Sequence, residues 1–317
     1  MAIQHFVVTR FGISVKNPVW YEYRRPFIRD ILMPSLRAQT DQEFVFLCLV
    51  DEDFEEAAYN DIFFGLNDIR FEGLKTAAAA HGQLENILQR HSENGTKAIV
   101  SRIDDDDAVY SGAIEKMKLL ADKVKETTIF ALHSGIDAYL EEQKAIEVAA
   151  LHGSSVFMTT VGEISNHPFT FGHHQFREHA AEHGLNWSYV LQGSTTFHYT
   201  QHKNSGHVTH AAYTEALKRP KCRDITDKDL SLFGIDPDAY RAAAEHTKNY
   251  APSKRFEGGK ATQTVLNKKN DLFREQRSVK RQLRDETEPS KSEALSQRLN
   301  EIELEIQEFD RDMIRRQ

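Results

Sequence analysis

Lys97-Ala98-Ile99-Val100-Ser101-Arg102-Ile103-Asp104-Asp105-Asp106-Asp107 decides how this chain is read. The first seven residues are a short, largely apolar run, the pattern of a buried strand. The last four are consecutive carboxylates. Like charges repel, so four of them at the end of a buried strand call for a counter-charge. Open α/β sheets bind their ligands beyond the carboxyl ends of their strands. Carboxylates at that place suit a hard divalent cation such as Mg2+ or Mn2+. Such an ion bridges a diphosphate and neutralises charge developing on a leaving group. Alternate residues of an extended segment point the same way, so Asp104 and Asp106, or Asp105 and Asp107, are expected to face one ligand. A solvated acidic turn is the competing reading, and the position after a buried strand favours the ligand.

Upstream, strands and helices alternate. His5–Thr9 reads as a first strand, and a helix is expected over residues 19–38, with breaks at Pro26 and Pro34. Phe44–Val50 is a continuous apolar run typical of a strand covered on both faces, and it ends at Asp51. A helix over 55–64, a short strand at 69–71 and a helix over 75–90 closed by Glu93-Asn94-Gly95 follow. Downstream of the quartet, a helix is expected over 111–124. This rhythm implies a mostly parallel sheet with helices on both faces. From Thr127 short strands are expected at 129–132, 137–143, 146–151 and 155–161, adding an antiparallel portion. A short helix is expected at 175–182. Residues 201–260 read as turns with few apolar runs.

The composition of the 317 residues agrees with a folded core: 40% are hydrophobic and 10% aromatic. Mean hydropathy is −0.56 and 28% of residues are charged. The net charge of −8 gives no global attraction to nucleic acid. Cys48, inside an apolar run, and the distant Cys222 read as free thiols in a reduced, cytoplasmic protein. The N-terminus reads as a strand and not as a signal peptide. No apolar stretch reaches the ~18–20 residues that span a bilayer, so a membrane-linked acceptor would be met by peripheral contact. Beyond Gly258-Gly259 the composition shifts. Leu295, Leu299, Ile302, Ile306, Phe309 and Met313 make a heptad seam, preceded by the weaker Leu272, Val279 and Leu283. Pro289 separates two helices, giving an antiparallel hairpin or a homo-oligomerisation element.

Three segments together carry a resemblance: His5-Phe6-Val7-Val8-Thr9-Arg10-Phe11, Met33-Pro34-Ser35-Leu36-Arg37-Ala38-Gln39-Thr40-Asp41-Gln42-Glu43-Phe44 and Ser101-Arg102-Ile103-Asp104-Asp105-Asp106-Asp107-Ala108. The chain resembles the putative rhamnosyltransferase family among the GT-A, family-2-like glycosyltransferases, over about residues 4–200. The resemblance implies a GT-A-like, Rossmann-like mixed sheet flanked by helices over residues 1–255, with the helical, coiled-coil-like tail at 256–317. It implies metal-assisted transfer of a sugar from a nucleoside-diphosphate sugar to a hydroxyl of a glycan or other acceptor. Asp104 and Asp106 would hold the metal, with Asp107 alongside in a catalytic role. Thr9, Arg10, Asp51, Arg102, Asp104 and Asp105 would hold the nucleotide. His174, in a histidine-rich stretch with His173, would complete the metal shell, with His198 as an alternative. Glu178 would serve as general base, with Glu182 and Glu163 as alternatives.

The sequence departs from the family where a Trp-x-x-x-x-His-Gly-x-Asn pattern is expected. It has Trp187 followed by Gln192 and Thr195, which puts acceptor identity and turnover in question. Two other readings compete. His179-Ala180-Ala181-Glu182-His183 spells the H-x-x-E-H pattern of a zinc hydrolase, although no third ligand is evident. The heptad tail admits a non-catalytic assembly protein on a transferase-like scaffold.

Overall fold

The computed structural model describes residues 3–13, 15, 18–76, 79–92, 97–149, 156–171, 175–191, 195–202 and 210–248. In the C-terminal part it describes 272, 275–276, 279, 282–283 and 289–315. The Glu93-Asn94-Gly95 turn, His173, His174, Gln192 and the Gly258-Gly259 boundary lie outside the described residues. The chain divides into two compact units, Met1–Ala251 and Pro252–Gln317.

The strands are β1 (His5–Phe11), β2 (Val45–Asp51), β3 (Ile69–Leu74), β4 (Lys97–Arg102), β5 (Ala108–Val109), β6 (Thr128–Leu132), β7 (Ser134–Tyr139), β8 (Lys144–Ala149), β9 (Met158–Glu163), β10 (Asn186–Val190), β11 (Phe197–Gln201) and β12 (Arg223–Asp224). The helices are α1 (Pro18–Phe27), α2 (Met33–Arg37), α3 (Ala79–His91), α4 (Ala113–Ala121), α5 (Phe176–His183), α6 (His210–Leu217), α7 (Asp227–Ser231), α8 (Pro237–Lys248) and, in the second unit, α9 (Pro289–Arg315).

Seven strands form the main sheet in the order β10-β6-β9-β4-β1-β2-β3, and five form a second sheet, β12-β8-β7-β11-β5. β1 pairs in parallel with β2 and β4, and β2 with β3. β9 runs antiparallel between β4 and β6. Side chains alternate along β1. Val7 and Phe11 face a core that includes Ile28, Leu32 and Leu36 together with Ile114 and Met117 of α4. Phe6 and Val8 face Leu84, Ile87 and Leu88 of α3, with Phe169. The main sheet is therefore covered on both faces, as the apolar run of β2 requires.

The helix expected over 19–38 is continuous but not uniform. Pro26 lies inside α1, and a single π-turn, Ile28–Leu32, joins α1 to α2. Proline has no N–H, so Pro26 cannot bond the carbonyl four residues back, that of Glu22. His246 of α8 makes that bond from Nε2 at 3.0 Å. Pro34 stands at the start of α2, directly after the π-turn.

Two expectations are corrected. The helix over 55–64 is reduced to one 3-10 turn, Glu56–Tyr59, because Phe54, Tyr59 and Phe63 all close on the Phe11 ring, at 6.3, 5.8 and 6.2 Å. Residues 210–248, read as turns, contain α6, α7 and α8. Signals for the last two were present. Thr226 and Asp229 form a reciprocal capping box on α7, and the Asp236 carboxylate accepts from the Ala239 N–H at the start of α8.

Cys48 is buried and unbridged, as expected, and Cys222 is also unbridged. In the second unit Ile302 is fully buried with Leu272 and Val279, and Leu295 and Leu299 pack against them. The side chains of Ile306, Phe309 and Met313 lie outside the described residues. Among the described residues, no helix is long and apolar enough to cross a membrane.

Candidate active site

β1, β2 and β4 end at one edge of the main sheet and bring Arg10, Asp51 and Arg102 to it. Arg10 and Arg102 project from the same face, over one ring. Their guanidinium carbons lie 5.5 and 4.9 Å from the centre of Phe169. Both approach the same carboxylate oxygen, Asp104 Oδ1, at 3.9 and 3.5 Å. The Asp104 and Arg10 side chains are 32% and 30% exposed, whereas Arg102 is 7% exposed. The open side of this group is therefore formed by Arg10 and Asp104. Burial pulls the Arg102 guanidinium below its ordinary pKa, and Asp104 partly offsets this. Arg102 Nε has no hydrogen-bond partner among the described residues. Asp51 is buried and closes β2 by accepting from the Asp53 N–H at 3.2 Å.

Thr9 does not share this place with Arg10. It is fully buried on the opposite face of β1, where Val7 and Phe11 lie, because neighbouring strand residues point to opposite faces. Its hydroxyl has no partner among the described residues.

The quartet is not extended either. It forms a turn in which the Asp107 N–H bonds to the Asp104 carbonyl at 3.3 Å. Alternation therefore fails, and the four carboxylates divide three ways. Asp104 faces Arg10 and Arg102. Asp105 and Asp106 face Arg24, which reaches in from α1. Arg24 donates to both oxygens of Asp105, from Nε at 3.2 Å and from Nη2. Its Nη1 lies 3.0 Å from Asp106 Oδ2 and 2.9 Å from His202 Nε2. His202 Nδ1 meets the Tyr23 hydroxyl at 2.8 Å, and its ring lies 4.7 Å from Phe27.

The charges follow from this packing. Burial works against the Arg24 charge, but Asp105 and Asp106 more than offset it and raise its pKa. Burial pushes the Asp105 carboxyl up to about 6 despite Arg24. Burial also opposes ionisation of Asp106, yet Arg24, with His202 beside it, brings it below its ordinary value. His202 is lowered by burial, partly offset by Asp106, and is neutral near pH 7. Asp107 is fully withdrawn from water. Burial and the neighbouring Asp106 and Asp104 push it well above its ordinary value. Its Oδ1 accepts from the Thr200 N–H at 2.9 Å, and Oδ2 has no partner among the described residues.

β11 explains how His202 arrives. It runs antiparallel to β5, the strand after the quartet, with Phe197 opposite Val109 and His198 opposite Ala108. Continued, that register carries the end of β11 past the aspartates. The Thr200 hydroxyl bonds the Asp106 carbonyl. His198 is turned into the core, against Phe233 and Tyr240, and burial pulls it down to about 4.

The metal expectation meets a direct obstacle. A guanidinium nitrogen stands where Asp106 Oδ2 and His202 Nε2 converge, and Asp104 points elsewhere. Among the described residues, no three His, Cys, Asp or Glu side chains are placed to hold one ion. As arranged, the quartet does not fit a divalent cation. His174 lies outside the described residues. Glu178 is exposed on α5, and among the described residues no contact joins it to the quartet. The His179 and His183 rings stack at 4.1 Å, with Glu182 exposed between them in sequence.

Arg24, Tyr23, Phe169 and His202 were not anticipated. Arg24 carries no local signal, since it is one of two adjacent arginines on an amphipathic helix. His202 was legible in principle, because it continues the face of β11 that holds His198 and Thr200.

The family described as "Putative rhamnosyl transferase" matches residues 14–186, more than half of the chain. The chain belongs to that family. Its mixed sheets flanked by helices are the GT-A-like architecture expected for a glycosyltransferase of this kind. The part matching the rhamnosyl transferase family contains Arg24, Asp51, Arg102 and the quartet, while Arg10 and His202 fall outside it. No curated protein matches the chain. Among solved structures, it is similar to the 1–349 fragment of TarS from S. aureus, with TM-score 0.38, 16% identity and coverage of 62% of this chain and 60% of that one. It is similar to the same fragment in complex with UDP, with TM-score 0.39, 13% identity and coverage of 83% and 75%. It is also similar to mouse xyloside xylosyltransferase 1, with TM-score 0.37, 8% identity and coverage of 62% and 97%. The chain thus spans 60% of the length of the first of these.

Proposed function

We propose that this chain transfers a sugar from a nucleoside-diphosphate sugar to a hydroxyl of a glycan or other acceptor. One observation carries the reading: two arginines and a carboxylate meet at the carboxyl edge of β1 and β4, with Asp51 ending the neighbouring strand. A guanidinium pair suits a diphosphate, because planar N–H forks match phosphate oxygens. Arg10 and Arg102 are assigned to the donor diphosphate. Phe169 supports both from below. Asp104, on the open side, is assigned to the ribose hydroxyls, which a carboxylate accepts from. Asp51 is assigned to the nucleobase.

In the reaction the bond from the sugar's anomeric carbon to the diphosphate oxygen breaks, a bond to the acceptor oxygen forms, and the acceptor's hydroxyl proton passes to a general base. Negative charge grows on the leaving nucleoside diphosphate. Donors fixed in advance beside that charge lower the barrier, and the two arginines are so fixed. Asp107, held by the Thr200 N–H, positions the end of β11 against the quartet. The family description favours rhamnose as the sugar. The cytosol is the compartment proposed. For the tail we propose an antiparallel helical hairpin, supported by the contact of Ile302 with Leu272 and Val279 and by the Arg298–Glu275 pair at 2.8 Å.

The test is donor consumption. The full chain is incubated with thymidine-, uridine- and guanosine-diphosphate sugars, with and without Mn2+, and released nucleoside diphosphate is measured. Release from one donor class, lost in Arg10→Met, supports the reading. No release from any donor, with no binding of any nucleoside diphosphate, supports the non-catalytic scaffold instead.

A further inference from the structure

Asp106 Oδ2 and His202 Nε2 lie 3.2 Å apart, with the Asp106 side chain 14% exposed and that of His202 2% exposed. As two acceptors they repel unless something positive lies between them. In the tautomer in which Nδ1–H donates to the Tyr23 hydroxyl, Nε2 accepts, and Arg24 Nη1 donates to it at 2.9 Å. A carboxylate oxygen beside an imidazole nitrogen is a donor pair that suits a transition-metal ion. Here Arg24 Nη1 occupies the point of convergence, at 3.0 and 2.9 Å. The same guanidinium is bidentate on Asp105, and the Trp20 and Phe27 rings lie 5.8 and 5.0 Å from its carbon. The side chain is thus fixed by α1 on one side and by the quartet on the other.

We infer that Arg24 takes the place of a divalent cation at Asp106 and His202: this chain balances its aspartate quartet with a built-in guanidinium that a metal ion has to displace. The consequence is specific to this geometry. A fixed internal cation occupies the position at no cost in association entropy, so an ion from solution competes at a disadvantage. With the guanidinium removed, the two acceptors are left facing each other, beside Asp105. An added ion then relieves the repulsion instead of displacing a partner.

The test is direct Mn2+ binding to the full chain, read from loss of the free-ion electron paramagnetic resonance signal. It uses neither nucleotide nor acceptor, so it succeeds or fails apart from the transferase reading. The wild type is expected to take up Mn2+ at least about tenfold more weakly than Arg24→Met, in which one site appears. Adding Asp106→Asn to Arg24→Met is expected to abolish that site. Arg24→Gln, which keeps a hydrogen-bonding side chain between the carboxylates, is the second variant should Arg24→Met not fold. Mn2+ is also expected to raise the melting temperature of either variant and to leave that of the wild type unchanged, since a ligand stabilises only the state that binds it. Tight binding of one Mn2+ by the wild type overturns the inference. So does an affinity that neither Arg24 variant improves.

Discussion

Arg24 and Asp105 are 81 residues apart in sequence, yet Arg24 donates from Nε and Nη2 to the two oxygens of that carboxylate, and both side chains are 10% exposed. This pair fastens α1 to the turn that follows β4. Breaking a buried ion pair from one side leaves an uncompensated charge, which costs about 3–5 kcal/mol. Arg24→Ala is expected to lose that much in urea denaturation. Arg24→Met combined with Asp105→Leu removes both charges and is expected to lose much less than the two single losses added together. Additive losses would contradict the pairing.

Asp137, on β7, supplies a pH dependence with a defined sign. Burial pushes its carboxyl up to about 6, and Arg219 offsets this only in part. The native chain therefore holds a proton that the unfolded chain releases near 3.8. Native stability is favoured below that value and falls as pH rises from 3.8 through about 6. Asp137→Asn removes this dependence. It is expected to be about 1–3 kcal/mol more stable than the wild type at neutral pH and no more stable under strongly acidic conditions. Denaturant titrations at the two conditions check this, and a difference that does not change with pH would refute it.

The bond from His246 to the Glu22 carbonyl exists because Pro26 cannot make it. His246→Ala is expected to cost about 0.5–1 kcal/mol, the net worth of a partly exposed hydrogen bond. In a Pro26→Ala background the helix supplies its own donor, and the same change is expected to cost nearly nothing. A double-mutant cycle measures the coupling. Equal costs in the two backgrounds would remove the explanation.

In the second unit Ile302 is the one fully buried side chain of α9 among the described residues. Ile302→Asp places a charge against Leu272 and Val279. Hydrogen exchange across Pro289–Arg315 is expected to accelerate by an order of magnitude or more, because this contact and not helix propensity holds the segment. Unchanged protection would show that the helix needs no partner there.

The sheet was legible because its evidence is local. The buried runs of β1, β2 and β4 announce strands by composition, and Leu84, Ile87 and Leu88 announce the inner face of α3 by spacing. The quartet was legible as a charge that needed an answer. The answer itself was not, because Arg24 looks like any arginine on a surface helix until β4 is laid beside α1. The same holds for His202, which reaches the quartet only through the β5–β11 register. The alternation argument for Asp104 and Asp106 failed for a definite reason: it belongs to strands, and these residues form a turn. Helices α7 and α8 were overlooked although Thr226 and Asp236 mark their starts.

The central claim is that a nucleoside diphosphate binds where Arg10 and Arg102 flank Phe169. Calorimetric titration of thymidine and uridine diphosphates into the full chain tests it most directly. The account predicts saturable binding of at least one of them at a single site. It also predicts a loss of about tenfold or more in affinity for Arg10→Met and again for Arg102→Met, the scale of a charge-assisted phosphate contact. Binding that is equally tight in the double variant, or no binding of either nucleotide to the folded wild type, would contradict it.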